Sequence, residues 1–330
     1  MINRETLRLP PALPLSELRY FATSPPCHFA TVPLPPTQPA DRLHAAIARA
    51  GSPVCVGLDP VLESLPPILR ARHHEPLAAI EEFGHSVVDA IAGVVPAIKF
   101  QSACYERYGG AGVSLLERQA HHASERGLVV ILDAKRGDIG ISASHYAAAA
   151  KRTGAHFITV NGYLGLGTVK PYLDAGLGVF ALVRTSNPES DSIQSARLAD
   201  GRSVGELMGT EVASFGAGSM GECGLSDVGA VVGATKAQDA RALRDVMPNQ
   251  IFLIPGYGAQ GGTAEDIRSM VRARRTGAAD AGVLVTASRS VIYALREAAF
   301  GMDERDWTDL VADAASALAR EVRDTVRIDK

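Results

Sequence analysis

From Pro39 onward, short apolar segments rich in β-forming residues alternate with segments of helical period. The β-rich segments lie near residues 53–59, 95–101, 128–134, 156–161, 178–184, 227–233, 251–255 and 281–286. Helical patterns separate them, and a last helix is expected from 307 to about 325. Repeated β-then-α units favour a parallel sheet covered by helices. Eight such units predict an α/β protein with one (β/α)8 TIM barrel, and a doubly wound open sheet is the alternative.

The first 40 residues do not share this pattern. They contain nine of the 19 prolines of the chain, which remove backbone donors and disfavour helix at the preceding residues. We therefore expect residues 1–40 to form an irregular proline-rich extension and residues 41–330 to form the barrel domain. An alternative is that leucines such as Leu7 and Leu13 dock this segment on the barrel or on a partner. It also lacks the basic start and continuous apolar stretch of a secretory signal.

Composition excludes several classes of protein. The chain is 46% apolar and 21% charged with a net charge of -3, which is typical of a globular protein that buries a sizeable core. No run approaches the ~20 apolar residues of a membrane helix, and the weak net charge supplies no field for a polyanion. We expect no membrane or nucleic acid partner. The four cysteines form no zinc or disulfide pattern, which favours a reducing, cytoplasmic setting.

Charged residues gather at the ends of the first three predicted strands. In a (β/α)8 barrel the active site lies at the carboxyl ends of the strands. Because side chains alternate along a strand, Asp59, Lys99, Asp133 and Lys135 all point into the mouth of the barrel, and Asp138 follows in a glycine-containing loop. Such charges must neutralise one another or act on a ligand. A structural ion-pair network is the plain alternative, but this many charges at one end of a barrel exceed what packing requires.

Longer motifs surround these charges and make the pattern specific. They are VCVGLDP (54–60), AIKFQSACYERYG (97–109), LDAKRGDIGISASHYA (132–147), LVRTSNP (182–188) and IPGYGAQGG (254–262). Together they resemble orotidine 5'-phosphate decarboxylase, and the longer bacterial subgroup is the closer match. The resemblance runs in the same order from about residue 41 to at least residue 300.

The resemblance implies that Lys99, Asp133, Lys135 and Asp138 form the alternating Lys-Asp-Lys-Asp array of the family. Asp138 would reach into the site of the partner subunit, which implies a homodimer with shared active sites. The implied reaction is decarboxylation of orotidine 5'-monophosphate to UMP, the last step of de novo UMP synthesis. It would need no metal and no organic cofactor, because Lys135 would stabilise the C6 carbanion and then protonate it.

The resemblance also implies a set of substrate-binding residues. Asp59 matches a carboxylate that binds the ribose hydroxyls, and Ser142 matches a hydroxyl given to the ribose of the neighbouring subunit, where threonine is more common. Ser186 resembles the serine that reads the pyrimidine edge. Gln260 resembles a glutamine that links phosphate and base, and Arg289 matches an arginine that binds the phosphate.

The segment GYGAQG (256–261) fits the G-x-G-x-x-G pattern of dinucleotide-binding folds. We do not adopt that interpretation, because Asp280 precedes its strand whereas the ribose-binding acid belongs at a strand's carboxyl end. Gly258 and Gly261, with Ser288 near the start of the last barrel helix, are expected to form a phosphate site instead.

Two other functions stay open from the residues. A sugar-phosphate decarboxylase or aldolase-like synthase shares the Asp-x-Lys-x-x-Asp signature but binds magnesium through a carboxylate on the second strand, where this chain has Lys99. A non-catalytic phosphate-binding barrel would use the charges only as ion pairs, but an inactive relative would be expected to lose one of them. The long connection over 187–226 is either a lid over the base or a plain insertion.

Overall fold

A computed structural model describes residues 38–258, 261–294 and 304–327. The strands close in chain order into one parallel barrel, in which the last strand pairs with the first. They are β1 (Val54–Leu58), β2 (Ala97–Gln101), β3 (Val129–Arg136), β4 (Phe157–Val160), β5 (Gly178–Arg184), β6 (Val228–Val232), β7 (Phe252–Ile254) and β8 (Val283–Ala287). Each coincides with a predicted strand. The predicted (β/α)8 barrel is confirmed, and the open-sheet alternative is wrong.

Helices cover the outside of this barrel. They are α1 (Pro39–Ala50), α2 (Pro67–Arg72), α3 (Pro76–Ile91), α4 (Ser102–Glu106), α5 (Gly109–Glu125), α6 (Gly140–Arg152), α7 (Lys170–Asp174), α8 (Asp191–Gln194), α9 (Val204–Gly216), α10 (Ala237–Val246), α11 (Ala264–Met270), α12 (Arg289–Ile292) and α13 (Glu304–Val326). Among the described helices, none has the length and apolar character of a membrane span.

Helix α1 is missing from the sequence-based prediction. It begins with Pro39, which suits the first turn of a helix because proline lacks the N–H that is unpaired there. Gly51 ends it in the left-handed conformation with φ of 70°. Because Pro39 and Ala40 are buried in this helix, the irregular segment expected over 1–40 does not extend to residue 40. The remainder of that expectation, residues 1–37, lies outside the described residues.

The apolar face of α1 packs against the amino-terminal end of the barrel. Leu43 and Ile47 join a buried cluster with the inward-facing strand residues Cys55, Ala97 and Ile131. At the start of the helix the backbone N–H of Ala40 donates to a carboxylate oxygen of Asp227, just before β6, over 2.7 Å. This end of the barrel is therefore covered, and the carboxyl ends of the strands lie at the other end.

Side chains of the strands divide between two apolar clusters. Along β1, Val54, Val56 and Leu58 belong to the outer cluster between the strands and the helices. Cys55 belongs instead to the cluster inside the barrel. Along β1 the side chains thus follow the period-two alternation that was used to place charges at the barrel mouth.

Candidate active site

A cavity of about 560 Å³ opens among the carboxyl ends of the strands. The predicted site residues in its wall are Asp59, Lys99, Asp133, Lys135, Ser186, Ser288 and Arg289. They lie on or just after five different strands, so the barrel brings together residues that are far apart in sequence. A cavity of this size accommodates a small molecule.

Asp133 lies at the centre of the charged residues. Its Oδ2 accepts a hydrogen bond from Lys99 Nζ over 2.8 Å, and its Oδ1 accepts one from Lys135 Nζ over 2.6 Å. Lys99 Nζ also lies 3.9 Å from Asp59 Oδ1. Lys99 and Asp133 are buried, whereas the Lys135 side chain is 47% exposed and borders the cavity. The ammonium group of Lys135 is therefore held by Asp133 and is accessible from the cavity.

Electrostatics keep the buried part of this array ionised. Burial alone would raise the pKa of Asp133, but Lys99 and Lys135 outweigh it and lower that pKa to about 2. Burial would likewise lower the pKa of Lys99, but Asp133 and Asp59 raise it above the ordinary lysine value. Both groups therefore carry their charge across the physiological pH range.

An irregularity in β3 directs Asp133 and Lys135 toward the cavity. Pairing with β4 passes from Leu132 opposite Ile158 to Arg136 opposite Val160, so β3 advances four residues while β4 advances two. Such bulges redirect side chains next to active sites. Lys135 has a φ of 46° and is the only non-glycine residue with positive φ in the described ranges. Strain of this kind is common at functional sites.

Thr159 on β4 stabilises the bulge, and the sequence analysis did not identify it. Its hydroxyl oxygen accepts a hydrogen bond from the backbone N–H of Lys135 over 2.9 Å. The same hydroxyl donates to Asp133 Oδ1, also over 2.9 Å. Thr159 is buried and borders the cavity. One side chain thus fixes both the strained backbone of Lys135 and the carboxylate that pairs with its ammonium group.

Asp59 contributes a carboxylate at another part of the cavity wall. Its Oδ1 is buried and has no hydrogen-bond partner among the described residues. The Tyr293 hydroxyl donates to the backbone carbonyl of Asp59 over 3.2 Å and accepts from the backbone N–H of Val61 over 2.9 Å. Tyr293, also missed in the sequence, therefore holds the segment that carries Asp59. The Asp59 side chain as a whole is 31% exposed and borders the cavity, so the exposed part of its carboxylate can accept a hydrogen bond from a ligand hydroxyl.

The predicted phosphate loop follows β7. Gly258 and Gly261 have φ values of 67° and 91°, which non-glycine residues rarely adopt, and the N–H of Gly261 donates to the carbonyl of Gly258 over 2.8 Å. Gly258 borders a second cavity that shares Arg289 with the first, and Gly261 is among the described lining residues of neither. Gln260 lies outside the described residues.

The downstream acid of a dinucleotide fold is not near this loop. Asp280 lies in a short 3-10 turn before β8, where it pairs with His44 of α1 over 2.9 Å. This position is at the amino-terminal end of the barrel, opposite the glycine-rich turn. Asp280 is therefore not placed to bind a ribose at the glycine-rich turn, as a dinucleotide site would require.

Asp138 and Ser142 are not part of the cavity wall formed by the described residues of this chain. Asp138 Oδ1 accepts a hydrogen bond from the backbone N–H of Ile139 over 2.8 Å. Ser142 lies in the first turn of α6 and is half-buried. Two predicted site residues thus lie apart from the other seven that line the cavity.

Comparison with known proteins identifies the family of this chain. A family model described as orotidine 5'-phosphate decarboxylase / HUMPS family matches residues 52–299, which include all eight strands. A curated orotidine 5'-phosphate decarboxylase from Rhodopirellula baltica is 37% identical over 303 residues, which are 86% of this chain and 98% of the relative. The chain belongs to this family.

Further relatives extend the similarity to nearly whole proteins. An orotidine 5'-phosphate decarboxylase from Clostridium perfringens strain SM101 is 32% identical over 293 residues, covering 87% of this chain and 99% of the relative. The solved structure of OMP decarboxylase from Leishmania donovani superposes with a TM-score of 0.70 at 27% identity. That match covers 88% of this chain and 98% of the other. The similarity therefore extends over the whole barrel.

Proposed function

We propose that this protein decarboxylates orotidine 5'-monophosphate to UMP and CO2, the last step of de novo UMP synthesis. The observation that carries the proposal is the position of Lys135, whose ammonium group borders the cavity and pairs with buried Asp133 over 2.6 Å. Relatives named orotidine 5'-phosphate decarboxylase, at up to 37% identity, support the same reaction. We also propose the cytoplasmic setting that the cysteine content favours.

The chemistry requires a cation at the reacting carbon. Breaking the bond between C6 of the pyrimidine and its carboxylate releases CO2 and leaves an electron pair in the plane of the ring. That pair is poorly delocalised, so a fixed positive charge next to C6 stabilises the developing carbanion far better than mobile water does. Lys135 supplies this charge and then donates a proton to C6, which completes UMP. Bonds, electrons and protons balance without a redox step.

The other charges make Lys135 effective. Asp133 holds the ammonium group in place, and Lys99 balances the second oxygen of Asp133 over 2.8 Å. Because the strained φ of Lys135 is stabilised by Thr159, the cation is positioned before substrate binds. Preorganised charge needs no rearrangement in the transition state. We propose that Asp138 completes the array next to the departing carboxylate.

Substrate recognition is divided among several strand ends. We propose that the exposed part of the Asp59 carboxylate accepts hydrogen bonds from the ribose hydroxyls. Ser186 would read the pyrimidine edge, and Arg289 with Ser288 would bind the phosphate near the start of α12. We propose two further roles from the sequence alone. Gln260 would link the phosphate and the base, and Gly258 and Gly261 would form the phosphate loop.

A homodimer would bring the two remaining residues to a site. Asp138 and Ser142 lie outside the cavity wall of their own chain, and large apolar side chains near them are exposed: Ile139 at 61%, Ile141 at 73% and Tyr163 at 83%. Exposed apolar surface of this kind marks a protein contact. We propose that two copies pair through this face and that each gives Asp138 and Ser142 to the other's site.

The site disfavours the magnesium-dependent alternative. Lys99 Nζ lies 2.8 Å from Asp133 and 3.9 Å from Asp59, so an ammonium group stands between the carboxylates that a divalent cation would need. Among the described residues, no group of three or more His, Cys, Asp or Glu side chains is arranged to hold a metal ion. An ion-pair network without catalysis is disfavoured too, because such a network does not require a strained residue at a cavity.

Ultraviolet absorbance tests the proposed reaction. The purified full chain is mixed with orotidine 5'-monophosphate in EDTA, and loss of the orotate chromophore is followed together with release of UMP. We expect stoichiometric turnover that added magnesium does not increase. Absence of turnover, or turnover only with magnesium, would contradict the proposal.

A further inference from the structure

Arg184 ends β5 as a buried arginine, with 4% of its surface exposed. Its guanidinium group has five N–H donors, and partners for all of them are described. They are Asp239 at 2.7 Å from Nε, Ser190 at 3.0 Å and Gln194 at 3.5 Å from Nη1, and Asp191 at 2.6 Å and Ser195 at 2.9 Å from Nη2. Because every donor is engaged, Arg184 is not available to bind substrate directly.

All but one of these partners belong to residues 185–195, the β5 loop. The exception, Asp239, lies on α10 and fixes the guanidinium group to the outer layer of the barrel. Asp191 also pairs with Lys236 over 2.6 Å. The β5 loop has only one turn each of 3-10 and α helix, so contacts to Arg184 replace a regular backbone pattern in holding its shape.

The β5 loop also forms part of the cavity wall. Thr185, Ser186, Asn187 and Gln194 border the cavity. Gln194 Oε1 accepts from the backbone N–H of Thr185 over 2.8 Å and from Arg184 Nη1. One glutamine therefore connects the buried guanidinium group to the backbone next to Ser186.

Ser186 is also constrained from the other side. A Cβ at Gly233, after β6, would lie 2.8 Å from Ser186 Cα, so only glycine permits this close approach. The N–H of Gly233 donates to the carbonyl of Arg184 over 2.7 Å. Ser186 is thus held between the end of β6 and the contacts of Arg184.

We propose that Arg184 is a positioning residue for pyrimidine recognition, acting through the β5 loop to hold Ser186 at the cavity. This inference rests on the proposed function, because it takes Ser186 as the residue that meets the base. Lysine cannot replace arginine here, since a single ammonium group cannot reproduce the planar fork that reaches five partners. A misplacement of about 1 Å caused by a substitution far from the chemistry can cost about 10²-fold in rate.

A double-mutant cycle tests this inference. Arg184→Lys, Ser186→Ala and the double variant are compared with wild type by kcat/KM for orotidine 5'-monophosphate. We expect Arg184→Lys alone to lower kcat/KM by roughly 10- to 100-fold, and by less than about threefold in the Ser186→Ala background. KM should rise more than kcat falls, because the lost contact is to a part of the base that does not react.

Arg244 provides a matched control. It is also buried and donates to the backbone carbonyls of Met247, Gln250, Met270 and Gly282, away from the cavity. We expect Arg244→Lys to lower Tm while kcat/KM stays within about threefold of wild type. Equal activity losses for the two arginine variants would show that Arg184 has only a general structural role.

Equal effects of Arg184→Lys with and without Ser186 would also overturn the inference, and the proposed function would stand. If Arg184→Lys does not fold, Asp239→Asn serves instead. The Asp239 side chain is half-exposed, and its substitution removes the charge that pairs with the guanidinium group of Arg184. We expect a loss of roughly threefold to tenfold that Ser186→Ala again suppresses. Inactivity of the wild-type chain would instead overturn the proposed function, and this inference with it.

Discussion

Asp133 is a buried carboxylate whose charge is compensated on both oxygens. Lys99, Lys135 and Thr159 all donate to it within 3 Å, and Gln101 approaches within 3.4 Å. A buried charge without such partners would cost several kcal/mol. The same compensation lets Lys135 keep one side toward the cavity, so the stability of the array and its proposed chemistry depend on the same contacts.

The Thr159 hydroxyl is expected to affect activity through Lys135. Thr159→Val keeps the shape of the side chain but leaves the N–H of Lys135 without its partner, which costs about 1–3 kcal/mol. We expect kcat/KM for orotidine 5'-monophosphate to fall by roughly tenfold or more in steady-state assays. Thr159→Ser keeps the hydroxyl and should remain within about threefold of wild type. Equal activities of the valine and serine variants would show that the hydroxyl has no such role.

How far the site can be predicted depends on the kind of residue. Lys99 and Asp133 can be predicted because charged residues are rare at inward strand positions, so each stands out in an apolar segment. Thr159 cannot, because threonine is an ordinary strand residue and its contacts depend on the bulge in β3. Arg184 lies in the motif LVRTSNP (182–188), but most of its partners belong to a loop that has no periodic sequence pattern.

At the scale of elements, β3 and β4 are joined at their amino-terminal ends by a half-buried histidine. His156 Nδ1 accepts a hydrogen bond from the backbone N–H of Val130 over 3.0 Å. The backbone N–H of His156 donates to the carbonyl of Val130 over 2.8 Å. Burial, with Arg42 and Lys151 nearby, lowers the pKa of His156 from 6.5 to about 4. The folded chain therefore holds this histidine neutral.

This shift predicts a loss of stability in mild acid. Because the folded pKa lies below the unfolded value, the unfolded chain takes up a proton first as the pH falls from 6.5 toward 4. We expect His156 to lower the free energy of unfolding by about 2 kcal/mol between pH 8 and pH 5. Denaturant unfolding of wild type and His156→Gln at both pH values measures it. The glutamine variant should have a flatter pH dependence, and identical slopes would contradict the assignment.

At the scale of the whole molecule, the strands were predictable and α1 was not. A barrel strand is a continuous apolar segment, whereas α1 is a short amphipathic helix placed immediately after the proline-rich region and before the first repeat unit. Only the closed barrel shows its role, which is to cover the amino-terminal end with Leu43 and Ile47. The carboxyl-terminal end then carries the cavity and, beside it, Asp138 with exposed apolar residues.

The proposed exchange of Asp138 between subunits predicts complementation. Lys135→Ala and Asp138→Ala should each be nearly inactive as pure proteins. In a mixed dimer, one site carries both lesions and the other carries neither, so mixing should restore up to about a quarter of the wild-type activity per subunit when exchange is random. Activity is measured after subunit exchange is verified with differently tagged chains. Continued inactivity despite verified exchange would mean that Asp138 acts within its own chain or not at all.

The central claim is that the Lys135 ammonium group carries the decarboxylation. The most direct measurement is kcat for orotidine 5'-monophosphate with Lys135→Ala in EDTA, beside the Kd of the same variant for UMP. We predict that kcat falls by at least about 10³-fold, because a preorganised charge at the reacting carbon is lost, while the Kd for UMP stays within about tenfold of wild type. A variant that binds UMP normally and retains a kcat within tenfold of wild type would contradict the claim.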